Sequence, residues 1–295
     1  MIEKDLGLSK MGVMVKEKVF LITGATRGIG LSIYRKCVEM GGVAVICSRS
    51  SKDIDLAVSQ VDPKRMRSMG VVADVSREEG CEQLVSETLN KYGRVDVLVN
   101  NAGIIGPVGP VERNEAVAWR STFEVNIFGT MYCCQLVLPG MKARHGGKII
   151  NMAGAGVGGT RPMGNFTAYY ASKAAVVAFT EALAAEVRGD NIQVNCVSPG
   201  GVNTYLTDYI LTQGRGKVGD EVFDQMLRQK ESGGESPDLG AEMVMFLASQ
   251  KADHLTGRVV SAKWDSRESL LDPSIGKNRY TLRRIDGVFF DEKEK

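Results

Sequence analysis

Histidine is nearly absent from this chain of 295 residues, which carries only His145 and His254. Its six cysteines, Cys37, Cys47, Cys81, Cys133, Cys134 and Cys196, include no C-x-x-C pair. Those two shortages leave poor material for a zinc site or a disulfide framework. No metal is expected, and the cysteines read as buried thiols in a reducing, cytoplasmic setting. No apolar run approaches the ~18 residues needed to span a bilayer, so no membrane partner is expected. The first residues lack a signal-peptide core, and 1–16 read as a flexible extension. Charge of one sign is missing too. Lys and Arg number 37 against 35 Asp and Glu, a formal charge of +2. A dedicated nucleic-acid binder would show a strongly basic face, so nucleic acid is not an expected partner. There is no internal repeat, linker or low-complexity block.

What is present is ample for a core: 43% of the residues are apolar and 24% charged. Short apolar runs alternate with helical patterns along the chain, which predicts an α/β fold. The expected architecture is a single-domain, doubly wound parallel sheet of Rossmann type, with helices on both faces. The first run, Val19-Phe20-Leu21-Ile22, leads into Thr23-Gly24-Ala25-Thr26-Arg27-Gly28-Ile29-Gly30. A helix and a second strand, Val43-Ala44-Val45-Ile46-Cys47, follow. In that context the glycines let the backbone approach a pyrophosphate, while the helix N-terminus offers free N–H groups. Gly24, Thr26, Arg27, Gly28, Ile29 and Gly30 are therefore candidate cofactor-binding residues.

An acid about 20 residues past the glycines would bind the adenosine ribose of NAD. This chain has Ser48, Arg49 and Ser50 there. Arg49 and Arg27 suit a 2′-phosphate through bidentate pairing, so NADP(H) is preferred to NAD(H). A third strand over 66–73 ends at Asp74 and Val75. Asp74 either accepts from the adenine amino group or caps the helix that follows. A fourth strand over 95–99 closes on Asn100-Asn101-Ala102-Gly103, where small residues let a cofactor lie against the chain. Residues 114–145 read as a long helical region broken at Pro139-Gly140. Strands over 148–152 and 192–197 follow. Residues 202–234 are polar and glycine-rich around a short helical core with Val222 and Met226, and read as a mobile lid. The Rossmann-type domain spans 17–262, and 263–295 form a charged tail.

Tyr169 and Lys173 stand four apart, which places them on one helix face. An ammonium beside a phenol favours the phenolate, making Tyr169 a usable proton donor or acceptor. Taken together, the glycine turn, Asn100-Asn101-Ala102-Gly103, Asn126, Tyr169-x-x-x-Lys173 and Pro199-Gly200 resemble the short-chain dehydrogenase/reductase family. The resemblance covers about residues 17 to 261, in its compact single-domain form. It implies that Lys173 also holds the nicotinamide ribose, and that Asn126 helps anchor a proton-relaying water. It further implies that Val202 and Thr204, after Pro199 and Gly200, meet the carboxamide. The implied activity is NADP(H)-dependent hydride transfer between nicotinamide and a small-molecule carbonyl or secondary alcohol. A homodimer or homotetramer is implied as well.

One element of the family pattern is absent. Members carry a serine shortly after the fifth strand, whose hydroxyl bonds the reacting oxygen, yet residues 151–160 contain none. Counting from the strand places the gap at Ala153 or Gly154, and counting back from Tyr169 places it at Gly156. Thr160 is the nearest hydroxyl. Losing one donor to a developing oxyanion costs roughly 3–4 kcal/mol, or about 10²–10³ in rate. That loss motivates two alternatives: an NADP(H)-binding sensor or scaffold with little turnover, or a nicotinamide-assisted isomerase or dehydratase.

Overall fold

The computed structural model describes residues 15–154, 157, 164–275 and 280–281. The described strands are β1 (Val19–Thr23), β2 (Val43–Ser48), β3 (Ser68–Val72), β4 (Val97–Asn100), β5 (Gly147–Met152), β6 (Ile192–Ser198) and β7 (Val259–Ser261). They form one seven-stranded sheet in the order β3-β2-β1-β4-β5-β6-β7. Every pairing is parallel. Strand order reverses between β1 and β4, and in such sheets a crevice opens at the carboxyl ends of the strands beside that point.

The sheet is covered on both faces, which is why its strands read as unbroken apolar runs. Phe20 and Ile22 of β1 pack with Ile33 and Tyr34 of α1 (Gly28–Glu39) and with Ile54 of α2 (Ser51–Val61). Val19 and Leu21 point the other way. They join Leu84 of α3 (Glu78–Tyr92), and the sequence continues through α4 (Ala116–Phe123) to Val137 of α5 (Gly129–Ala143). Leu183 of α6 (Thr167–Glu186) belongs to the same layer. Each fully buried side chain of this size contributes roughly 1.5–3 kcal/mol through lost apolar exposure. All six cysteines are buried and unpaired.

The structure corrects the sequence reading in four places. Helix α2 was not expected, although Ile54, Ala57, Val58 and Val61 recur at helical spacing and pack on the core. Ser50 caps it, accepting from the Asp53 N–H at 3.2 Å. The break in the long helical region falls at a π-turn, Glu124–Phe128, rather than at Pro139-Gly140. Pro139 stays inside α5 because it and Gln135 face solvent, which takes the carbonyl that the proline leaves without a donor.

The lid is better built than its composition suggested. It comprises α7 (Tyr205–Thr212), α8 (Arg215–Val218) and α9 (Asp220–Glu231). Their apolar faces join a cluster with Tyr169, so the segment is packed onto the domain. After α10 (Pro237–Ala248) and β7, the start of the tail also returns to the core. Leu270 of α11 (Arg267–Leu270) is fully buried, and the Val259 N–H donates to the Tyr280 carbonyl at 2.7 Å.

Candidate active site

Two turns at the switch point are stitched together by short hydrogen bonds. The Thr23 hydroxyl, at the end of β1, accepts from the backbone N–H of Asn101 and of Ala102 at 3.0 Å each. Asn101 Nδ2 donates to the carbonyls of Thr23 and Gly24 at 3.0 and 2.9 Å. A Cβ at Gly30 would stand 2.3 Å from the Gly24 carbonyl oxygen and 2.4 Å from Asn101 Nδ2. Gly24 and Gly28 hold φ of +63° and +55°, which disfavour any residue with a side chain. Helix α1 starts straight from this turn with no side-chain cap and no acid in its first turn. Its free N–H groups and positive end are thus left for an anion.

The turns open on a cleft of about 660 Å³ that runs along the carboxyl ends of the strands. Of the residues singled out from sequence, Gly24, Thr26, Arg27, Gly28, Ile29 and Gly30 line its first part. Ser48, Arg49, Ser50, Asp74, Val75, Asn101, Ala102 and Gly103 line the middle. Pro199 and Thr204 line the cleft beside the glycine turn, Thr204 against Gly28, and Tyr169 and Lys173 line the far end. Gly200, Val202 and Asn126 do not reach the wall. Gly200 turns with φ +88° toward Glu235 and Lys263, and Val202 is buried behind it.

Arg49 is exposed at the mouth and makes no ion pair among the described residues. Arg27 instead has a partner: its guanidinium lies 4.1 Å from the centre of the Tyr205 ring, at the start of the lid. Nothing in the sequence flagged Tyr205. Asp53 lines the same wall, an acid that the count past the glycines missed because it sits one helical turn further on. Asp74 Oδ1 accepts from the N–H and hydroxyl of Ser76 at 3.0 and 2.8 Å, a local turn that precedes α3, whose N-cap is Arg77 with no side-chain cap.

At the far end the catalytic candidates are buried. Tyr169 is 8% exposed and Lys173 4%. Lys173 Nζ donates to the Met152 carbonyl at 3.0 Å, tying it to the end of β5. Burial pushes the Tyr169 phenol up to about 12 and the Lys173 ammonium down to about 8. The expected lowering of Tyr169 by Lys173 is absent in the protein alone, where burial is the only cause that shifts the phenol. Asn126 spends its whole amide on protein. Its Oδ1 accepts from the Ile104 N–H, and its Nδ2 donates to the Ile104 carbonyl and to Ser172 Oγ, each at 2.9 Å. Its visible role is to hold the loop after β4 against α6.

Of the positions left open for the serine, Gly154 faces Tyr169 directly. The Tyr169 hydroxyl lies 2.7 Å from the position a Cβ at residue 154 would take. Gly156 and Thr160 lie outside the described residues. The Tyr169 ring packs into an apolar cluster with Ile105, Val108 and Phe166 and with Ile210 and Phe223 of the lid. Among the described residues no cluster of His, Cys, Asp and Glu could hold a metal ion.

A doubly wound sheet with a glycine turn at its switch point defines a Rossmann-type nucleotide-binding fold. Comparison with known proteins narrows this. The family model for short chain dehydrogenases matches residues 18–214. Dehydrogenase/reductase SDR family member 4 of Sus scrofa is 32% identical over 246 residues, covering 83% of this chain and 86% of its own. The 3-oxoacyl-(acyl-carrier-protein) reductase of Staphylococcus epidermidis is 34% identical over 247 residues, covering 82% and 96%. A tryptophan variant of actinorhodin polyketide ketoreductase, solved with NADPH, superposes with a TM-score of 0.75 at 31% identity, covering 83% and 95%. The chain belongs to the short-chain dehydrogenase/reductase family of oxidoreductases.

Proposed function

We propose that this protein is an NADP(H)-dependent reductase of carbonyl compounds, running in reverse as a secondary-alcohol dehydrogenase. The observation that carries the reading is one cleft holding two kinds of residue. The glycine turn and the arginines line one end, and the buried Tyr169 and Lys173 line the other. The glycine cradle, which a Cβ at Gly30 would fill, and the uncapped start of α1 suit a pyrophosphate. Arg49 and Arg27 would take a 2′-phosphate, with Asp53 as a partial counterweight.

When bound, the nicotinamide supplies or accepts the hydride. Tyr169 gives its proton to the carbonyl oxygen as negative charge grows there. A phenol held near 12 keeps that proton at neutral pH, which favours the reducing direction. Below pH about 8 Lys173 is cationic and offsets that charge. Gly103 leaves room beside Lys173 Nζ, since a Cβ there would lie 3.4 Å from it.

The family relationship supports a homodimer or homotetramer, and exposed Val117 and Phe128 beside the long helices suit burial against a second copy. The unpaired, buried thiols support a cytoplasmic setting. No described helix is long and apolar enough to cross a membrane. Gly154 favours the second reading, a cofactor-binding protein with slow turnover. Titration with NADPH and NADH, followed by a carbonyl panel, tests both. Tight NADPH binding with turnover supports the reductase, binding without consumption supports the second reading, and no binding sinks both.

A further inference from the structure

We propose that Gly154 is a positioning residue: its missing side chain makes the seat that the Tyr169 phenol occupies. The idea rests on the reductase reading for its kinetic consequences. Its geometry is independent of it.

The gap opposite Tyr169 is filled by Tyr169 itself. A Cβ at residue 154 would meet the Tyr169 hydroxyl at 2.7 Å, Tyr169 Cε1 at 2.9 Å and Lys173 Cγ at 2.7 Å. All three are closer than real Cβ contacts come. Gly154 is not among the glycines with positive φ, so space, rather than backbone conformation, excludes a side chain. The neighbours have little freedom to give way. The Tyr169 ring is buried in the apolar cluster with Phe166, Ile210 and Val218. The Ser172 hydroxyl, itself a partner of Asn126, donates to the Tyr169 carbonyl at 2.7 Å. Cγ of Lys173 lies near its backbone end, and Nζ is fastened to Met152. Interiors packed at crystal-like density pass such an intrusion on to the intruded group. A methyl at 154 therefore displaces the phenol along the cleft.

The inference reverses the expected result of restoring the family's hydroxyl. If the glycine were only a lost donor, Gly154→Ser would raise the rate and Gly154→Ala would be neutral. If the glycine is the seat, both lower kcat, since a misplacement of about 1 Å at the reacting group costs about 10²-fold. NADPH affinity, set at the other end of the cleft, stays within about threefold of the parent, well under 1.4 kcal/mol.

The experiment is a comparison of Gly154→Ala and Gly154→Ser for kcat and for NADPH affinity by fluorescence, with Ala153→Ser as a neighbouring control. A second measurement needs no turnover. The Tm cost of Gly154→Ala is taken in the parent and in a Tyr169→Ala background. The expected results are a fall in kcat in both variants at unchanged NADPH affinity, and a Tm cost that is smaller once the ring is gone, the Lys173 contact accounting for what is left. Folding of Gly154→Ala only in the Tyr169→Ala background supports the seat equally. Three results overturn it: a gain in kcat from Gly154→Ser, a Tm cost equal in the two backgrounds, or loss of fold in both. If the parent reduces no carbonyl compound, the reductase reading fails and the Tm cycle still decides the seat.

Discussion

The two ends of the cleft are built on different principles. At the glycine end, backbone does the recognition. Positive φ at Gly24 and Gly28, the clash a Cβ at Gly30 would make, and the Asn101–Thr23 stitching leave almost nothing to side-chain choice. At the Tyr169 end, side chains decide. A buried phenol, a buried ammonium and Gly154 share one small space. The first end is robust to sequence drift provided its glycines stay. The second changes its chemistry with a single residue, which is where family members differ in rate and substrate.

The contrast predicts that substitutions separate cleanly by end. Tyr169→Phe should lower turnover most, by roughly 10²–10⁴, because only the proton donor is removed. Steady-state kinetics beside NADPH titration checks it. An unchanged NADPH affinity with lost turnover keeps the ends separate, whereas joint loss of both would merge them.

Lys173→Met should come next, and its first readout is stability. Burial lowers this ammonium from 10.5 to about 8, so the folded chain below pH 8 carries a cation at a penalty. The penalty is full below about pH 8 and fades as pH rises toward 10.5, since only the unfolded chain keeps the proton in that window. Removing the charge should therefore stabilise the fold by up to about 3 kcal/mol at neutral pH, and by progressively less at higher pH. Denaturant midpoints at pH 7 and 10 measure this. Equal gains at both would show that Lys173 stays cationic in the fold.

Arg49→Asp should weaken NADPH about 10-fold or more and spare NADH, the scale of one charge-assisted hydrogen bond. Paired titrations check it, and an unmoved ratio would make Arg49 a surface charge. Tyr205→Ala should give the smallest effect. An exposed cation–π contact is worth about 0.5–1 kcal/mol, so NADPH affinity should fall about two- to fivefold. Tyr205→Phe should keep it, and a larger loss from Phe than from Ala would rule the stacking out.

Much of this was legible in the chain. The apolar strands, the glycine turn and the Tyr169–Lys173 spacing are local, and period and turn chemistry report them directly. The elements that misled were those whose local pattern is ambiguous. Helix α2 carries a stripe of Ile54, Ala57, Val58 and Val61, short and set among charged residues, that was passed over. Pro139 breaks helices on average, but at a solvent-facing position it does not. The polar, glycine-rich lid conceals Ile210 and Phe223, which matter only once Tyr169 lies beneath them. Tyr205 has no mark in the sequence, because its partner Arg27 is distant in the chain and near only in space.

By itself, the sequence determined the class of fold, the nucleotide-binding end and the pair of residues at the other end, because each follows from spacing along one element. Tertiary structure alone decided three things. It put the Tyr169 hydroxyl against Gly154, laid Arg27 on the Tyr205 ring, and buried Tyr169 and Lys173 so that desolvation shifts both. The reason is physical. Periodicity reports which face of an element is covered, but desolvation and close contact depend on what lies on the other side.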